Sequence, residues 1–347
     1  MEEKKEDSSL IDDLKSENKN VNIIQKENSI IYEFTYPSSD KRTNIHAIIC
    51  YPKNGKFDKI IQILHGKREY IERYIPFMEY LTTNGYVAVG HDYLGHGQSV
   101  NTKEDLGYIG EPNPNELIIK DIHTLRVMTH KKFPDLPYFM CGHSWGSYLL
   151  RQYICLNSQG LTGIILLGTG CENLYKVSIG KGLCEILQFF KGSRHRSMFI
   201  ANLSVGKNFK RYDMTKTDIY NSFITSDPEM AKEYNEDKKR NFEFTLNAFI
   251  GMLDSTLYSC DPKNVIKVRK DLPILFLAGG ADPIGSFGEG VKKSANMFRE
   301  AGIKDVTVKI YENGRHEMLK EINRKEVFEY IKNWMEKKLF TNDVKKK

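Results

Sequence analysis

The chain has 347 residues, enough for one large α/β domain or one domain carrying a sizeable insertion. Its composition, 40% apolar and 28% charged, suits a soluble globular protein, and a net charge of +6 is too mild an excess to argue for a nucleic-acid partner. No run approaches the roughly 20 apolar residues that span a bilayer, and the start, MEEKKEDSSLIDDLKSENKN, lacks the basic end and apolar run of a signal peptide.

Residues 1–25 read as a disordered or loosely attached arm. Residues 30–36 and 44–51 mix β-branched, aromatic and polar side chains, as a half-exposed hairpin would. KIIQIL at 59–64 is a short apolar strand ending in His65-Gly66. Helical spacing runs over 72–84, with Gly85 as its stop, and over 115–130. Further strands are expected at 86–90, 138–141, 163–167, 273–278 and 306–311, and helices at 145–157, 287–302 and 319–340. Apolar strands alternating with helices predict an α/β fold, a mostly parallel sheet flanked by helices on both faces.

One gap breaks the alternation. Between about 171 and 270 no buried strand is expected, and a hundred residues is too long for a loop. Helical patterns at 179–190, 227–241 and 242–253 fill it. The expected organisation is therefore a core of residues 26–170 and 271–342, with 171–270 as a helical cap over the carboxyl ends of the strands. The six cysteines form no C-x-x-C pair, so no zinc cluster is expected. Cys141 and Cys155 lie in apolar patterns as small core residues, and the usage fits a reduced, cytoplasmic setting.

The stretch YFMCGHSWGSYLL joins an apolar strand to a helix through G-x-S-x-G. Such a turn strains its central residue and projects Ser144 above the sheet, at the positive end of the next helix. Alone the motif is short enough to recur by chance, as an ordinary tight turn. A serine nucleophile needs a base, and two histidines follow Ser144. His195 sits in KGSRHRS with no strand before it, whereas His316 follows the strand VTVKIY. The preceding strand, in PILFLAGGADPIG, leads to Asp282. Ser144, Asp282 and His316 stand in the order this strand-turn-helix arrangement requires. Attack on a carbonyl also needs donors for the oxyanion. The amides of Trp145 and, after His65-Gly66, of Lys67 are the candidates. His65, Gly66 and His143 are candidates for substrate contact.

With HG at 65–66, HDYLGHGQS at 91–99, GHSWGS at 142–147, GGADPIG at 279–285 and GRHEML at 314–319, the chain resembles the α/β-hydrolase superfamily. Within it, the chain is similar to the monoacylglycerol lipase and lysophospholipase group, of serine aminopeptidase S33 type. The resemblance spans residues 30–340 and implies hydrolysis of a carboxylic ester, often of a monoacylated lipid, through an acyl-enzyme, with no cofactor or metal. It implies Ser144 as nucleophile, His316 as base, Asp282 as its orienting acid, Lys67 and Trp145 as oxyanion donors, and His96 as structural. Two departures stand out. The run HGKREYIERY has Lys67 after the HG and Tyr70 where the group carries His, and Trp145 is bulky enough to narrow the site.

The same triad serves thioesterases and peptidases, so these remain alternatives, and a non-catalytic binding protein on this fold would typically have lost a triad member. Dehalogenases and epoxide hydrolases need an Asp nucleophile, which Ser144 is not. From 176 to 216 there are nine Lys or Arg against two Asp or Glu. With the apolar residues of ILQFFKGSRHRSMFI around Lys191, Arg194 and Arg196, this stretch offers a surface for transient contact with an anionic membrane. The plainer reading is a solvated helix and loop.

Overall fold

The computed structural model of the protein describes residues 21–204, 207–215 and 218–344. Nine strands form one sheet in the order β1-β2-β3-β5-β4-β6-β7-β8-β9. β1 (Asn22–Gln25), β2 (Ser29–Pro37) and β3 (Asn44–Pro52) are antiparallel neighbours, and β3 joins β5 (Tyr86–His91) antiparallel. From β5 through β4 (Lys59–Leu64), β6 (Tyr138–His143), β7 (Gly163–Leu167), β8 (Ile274–Gly279) and β9 (Val306–Tyr311) every pairing is parallel. The arm expected over residues 1–25 is corrected at its end. Asn22 to Gln25 pair with Ile30 to Glu33 as an edge strand, because apolar Ile23 and Ile24 extend the hairpin. Residues 1–20 and the terminal lysines 345–347 lie outside the described residues.

Strands β4 to β8 are buried along their whole length, as helices on both faces demand. The pleat sorts their side chains. In β4, Ile60 and Leu64 enter one core, and Ile61 and Ile63 the other. α1 (Ile75–Thr82), α2 (Pro114–Lys132) and α3 (Trp145–Leu156) follow β4, β5 and β6. The first starts later than the expected residue 72. Residues Ile71–Tyr74 form a 3-10 turn, and Pro76 occupies the first helical turn, where its missing N–H costs nothing.

Between β7 and β8 the described residues form helices and no strand: α4 (Leu174–Lys191), α5 (Met198–Leu203), α6 (Pro228–Glu236), α7 (Leu246–Ser259) and α8 (Pro262–Val265). α4 packs on α7, and α7 on α2 and α3, so the insertion is seated on the sheet's own helices. The helix expected from 242 begins only at Leu246, where the Thr245 side chain accepts the Ala248 N–H. Phe242 and Phe244 precede that cap and turn their rings toward His96. α9 (Glu289–Glu300) and α10 (Arg324–Val344) complete the chain. Among the described residues no helix is long and apolar enough to cross a membrane.

Candidate active site

Ser144 joins β6 to α3 with φ 51° and ψ −121°, a left-handed backbone that a residue with a side chain occupies only under strain. The flanking glycines are required by close approach. A Cβ on Gly142 would sit 2.4 Å from the carbonyl of Gly146, and one on Gly146 would sit 2.4 Å from that of Leu64. The turn is held from within: the Ser144 N–H donates to the Leu167 carbonyl at 2.9 Å, and the Ser147 hydroxyl donates to the Ser144 carbonyl at 2.5 Å.

His316 and Asp282 reach the same rim from the ends of β9 and β8. Nδ1 of His316 lies 3.0 Å from Oδ2 of Asp282, and both residues are buried. The Ile284 N–H donates to the other carboxylate oxygen at 2.8 Å, which fixes the acid's orientation. The end of β7 links this pair to Ser144. Leu167 accepts the Ser144 N–H, and the His316 ring packs on Gly168 so closely that a Cβ there would lie 3.1 Å from Nδ1 and Cε1.

The loop after β4 lies against the serine. A Cβ on Gly66 would be 3.1 Å from Cβ of Ser144. Among the described residues no protein acceptor takes the amide N–H of Lys67 or of Trp145. The Lys67 ammonium turns away to the insertion, 4.9 Å and 4.4 Å from the ring centroids of Phe244 and Phe249, and 3.6 Å from Glu243. Burial brings its pKa down to about 8, against the pull of Glu243. The Trp145 indole is 3% exposed, with Nε1 donating to Ser255 of α7 at 3.0 Å. It packs against the rings of Tyr93, His96 and Phe244 in the core. Tyr70 donates to Asp237 at 2.9 Å, and Arg68 and Arg240 each donate to the other's carbonyl, which ties this loop to the insertion.

The three candidates for substrate contact have their polar groups engaged inside the protein. His65 accepts the Tyr93 N–H at Nε2 (3.0 Å) and holds the Gly66 carbonyl at Nδ1 (2.8 Å), and burial lowers its pKa. The Gly66 N–H donates to Glu69 at 2.7 Å. His143 is 3.0 Å from Glu69 at Nδ1, with the Tyr74 oxygen 2.9 Å from the same atom, while the Tyr74 hydroxyl proton goes to Glu69. Arg73 bridges Glu69 (3.2 Å) to Glu317 (2.6 Å), the residue after His316. Burial opposes charge on both His143 and Glu69. Their mutual attraction and hydrogen bond, together with Glu317 beside the imidazole and Arg73 and Arg240 beside the carboxyl, outweigh it, so the imidazole's pKa is raised and the carboxyl's lies well below its usual range. A cavity of about 290 Å³ adjoins this network, between it and Met230 and Leu319. His96 is buried among Trp145, Phe242 and Phe244, and burial drives its pKa to about 3, as a neutral packing residue requires.

Residues 55–323 match the family model described as serine aminopeptidase, S33. The chain belongs to this family. Its members adopt the α/β-hydrolase fold, and the chain is a hydrolase of the lipase and esterase type. It is 24% identical to a monoglyceride lipase homolog of monkeypox virus over 83% of this chain and 91% of that one. It is 25% identical to human monoglyceride lipase over 81% and 84%. A thermostable carboxyl esterase from Bacillus coagulans, crystallised with glycerol, superposes with a TM-score of 0.81 at 28% identity, covering 88% of this chain and 98% of that one. Monoglyceride lipase from Saccharomyces cerevisiae shares the fold, with a TM-score of 0.65 at 19% identity over 92% and 95%.

Against this family background, the network of Glu69, Arg73, Tyr74 and Glu317 is what the reading of the sequence missed. The i, i+4 spacing of Glu69 and Arg73 was the available signal. For metals, Glu33, His46 and Glu72 bring ligand atoms within 4.8 Å of one another. Those groups are already committed: His46 to Asp92 at 2.9 Å and Glu72 to Lys239 at 2.5 Å.

Proposed function

We propose that the protein cleaves carboxylic esters of monoacylglycerol or lysophospholipid type through an acyl-enzyme on Ser144. One observation carries the reading: a strained serine, an imidazole tied to a buried aspartate and two amides without protein acceptors converge on one rim. Asp282 accepts the Nδ1 proton of His316, which leaves Nε2 to take the Ser144 proton as the hydroxyl oxygen attacks the ester carbonyl. The oxyanion rests on the amides of Lys67 and Trp145, and the N-terminus of α3 adds its positive potential. The alcohol departs with the proton from His316. Water, deprotonated by the same imidazole, then releases the acid.

The names of the relatives support an ester substrate, and the monoglyceride lipases among them support a monoacylated lipid. Ser144→Ala tests the nucleophile. Turnover is expected to fall by at least about 10⁴-fold with unchanged thermal unfolding, and an active variant ends the proposal. A panel of p-nitrophenyl esters of graded length, monoacylglycerol, lysophospholipid and thioester tests the substrate class. An aminoacyl amide in the same panel tests the peptidase reading that the family's description carries.

A lipid substrate also gives meaning to the insertion's surface. Phe189 and Phe190 at the end of α4 are 84% and 77% exposed, and Met198, Phe199 and Leu203 follow on α5, all exposed. Lys191 sits beside them. Arg194 and Arg196, in contrast, bind Asp105 and the carbonyls of Glu104 and Leu106. Transient contact with an anionic bilayer would rest on the aromatic pair first and on these two arginines least.

A further inference from the structure

The Glu69 N–H donates to the Gly66 carbonyl at 3.3 Å, which closes a turn with Lys67 and Arg68 at its centre. Arg68 has φ 57°, in the left-handed region. Glycine takes that conformation at the second central position of a turn without penalty, whereas a residue with a Cβ is disfavoured there. An arginine at this position therefore needs support from outside the turn. The residue just before it carries the amide assigned to the oxyanion.

The support comes from the helical insertion. Nε and Nη2 of Arg68 donate to the Arg240 carbonyl at 3.2 Å and 2.9 Å. Nε of Arg240 donates back to the Arg68 carbonyl at 3.1 Å. Nη1 of Arg68 reaches Glu243 at 3.3 Å. The insertion holds Arg240 independently of the loop. Arg240 is buried, its Nη1 donates to the Tyr234 carbonyl at 3.0 Å, and its guanidinium carbon lies 3.2 Å from the Tyr234 ring centroid. Tyr234 belongs to α6, and Asp237 caps the short turn 238–240 by accepting the Lys239 N–H at 2.9 Å. The backbone on the far side of the strained φ is thus gripped by a side chain that is already fixed.

Without that grip an arginine relaxes to the right-handed region. The central peptide of the turn then rotates, and Lys67, on one side of that peptide, moves with it. A displacement of about 1 Å in a group that must meet the reacting atoms is worth up to about 10²-fold in rate. Resting on the acyl-transfer reading of Ser144, we propose that Arg240 is a positioning residue of the reaction: its reciprocal clasp with Arg68 holds the left-handed turn that presents the Lys67 amide to the oxyanion. Arg240 acts through Arg68 and not on the ester. The insertion thereby sets the geometry of a donor that belongs to the core.

The test is steady-state hydrolysis of p-nitrophenyl butyrate by the full chain, with thermal unfolding measured alongside. Arg240→Ala should lower kcat by about tenfold or more and leave KM within about threefold, because the oxyanion donor is lost and the ester's binding contacts stay. Adding Arg68→Gly to Arg240→Ala should return kcat to within about threefold of the wild type, because glycine takes the turn without the clasp. Arg68→Gly alone should stay within the same limit, and Arg68→Ala should behave as Arg240→Ala does. A residue that only packs, or that touches the ester, gives no such rescue. Lys239→Ala cuts a different tie between the same two segments, the bond to Glu72, and should leave kcat within about twofold.

Wild-type kcat in Arg240→Ala overturns the proposal. So does a loss that Arg68→Gly leaves in place or that Lys239→Ala shares. Should Arg240→Ala fail to fold, equal kcat in Arg68→Ala and Arg68→Gly overturns it instead. A wild type that neither turns over the ester nor takes a fluorophosphonate at Ser144 ends the reading of Ser144 and the proposal with it, whereas failure of the variants in an active wild type ends the proposal alone.

Discussion

His143 and Glu69 form a buried hydrogen-bonded pair, 3.0 Å from Nδ1 to Oε2, one residue away from Ser144. The pair anchors the turn on one side and the loop after β4 on the other, since Glu69 also accepts the Gly66 N–H. Tyr74, Arg73 and Glu317 extend it to the residue after His316. The positions of Ser144, His316 and the Lys67 amide thus share one charged support.

Glu69→Gln should cost about 3 kcal/mol, because it leaves Arg73 and His143 buried beside an uncharged amide. The pH dependence follows from the two shifts. The His143 pKa is raised, so its share of the stability is complete below its ordinary value of about 6.5 and fades as pH rises through the raised value. The Glu69 pKa is depressed, so its share is complete above the usual carboxylate range and is lost only as pH falls through the depressed value. Urea unfolding of wild type and Glu69→Gln should therefore differ most near pH ~5.5 and less near pH ~9. An equal difference at both would show that His143 carries no charge.

Asp282→Asn should lower ester turnover by about 10⁴-fold while thermal unfolding changes little, because the amide presents the wrong group to Nδ1 of His316. Turnover within tenfold of the wild type would remove Asp282 from the proposed mechanism.

Gly146→Ala pushes a methyl group to 2.4 Å from the Leu64 carbonyl, and Gly142→Ala one to 2.4 Å from the Gly146 carbonyl. Neither contact can relax without moving a central strand, so each change should cost about 2 kcal/mol or more. Chemical denaturation measures it. A neutral result at both sites would mean that the sheet and α3 approach less closely than described.

Phe189→Asp with Phe190→Asp should weaken co-sedimentation with phosphatidylserine vesicles by about tenfold or more, since both exposed rings would leave the bilayer. Neutralising Arg194 and Arg196 should matter less, because both already bond within the protein. Equal vesicle binding by wild type and the double Phe variant would dismiss the membrane contact.

The sequence by itself determined the elements whose signal is local. Strands β4 to β8 declare themselves as short apolar runs, because a strand covered on both faces has no polar side to show. The elbow shows in the spacing of Gly142, Ser144 and Gly146, because only glycine fits two such close approaches. Asp282 and His316 were found as polar residues just past strand ends. Only the tertiary structure decided what depends on contacts between distant parts of the chain. Arg73 meets Glu317 across 244 positions, and Arg68 meets Arg240 across 172. The direction of the Trp145 indole and the inward duties of His65 and His143 are of the same kind. Periodicity records which face of one element is apolar; it holds no record of which residue of another element that face will meet, because chain closure over long loops fixes that.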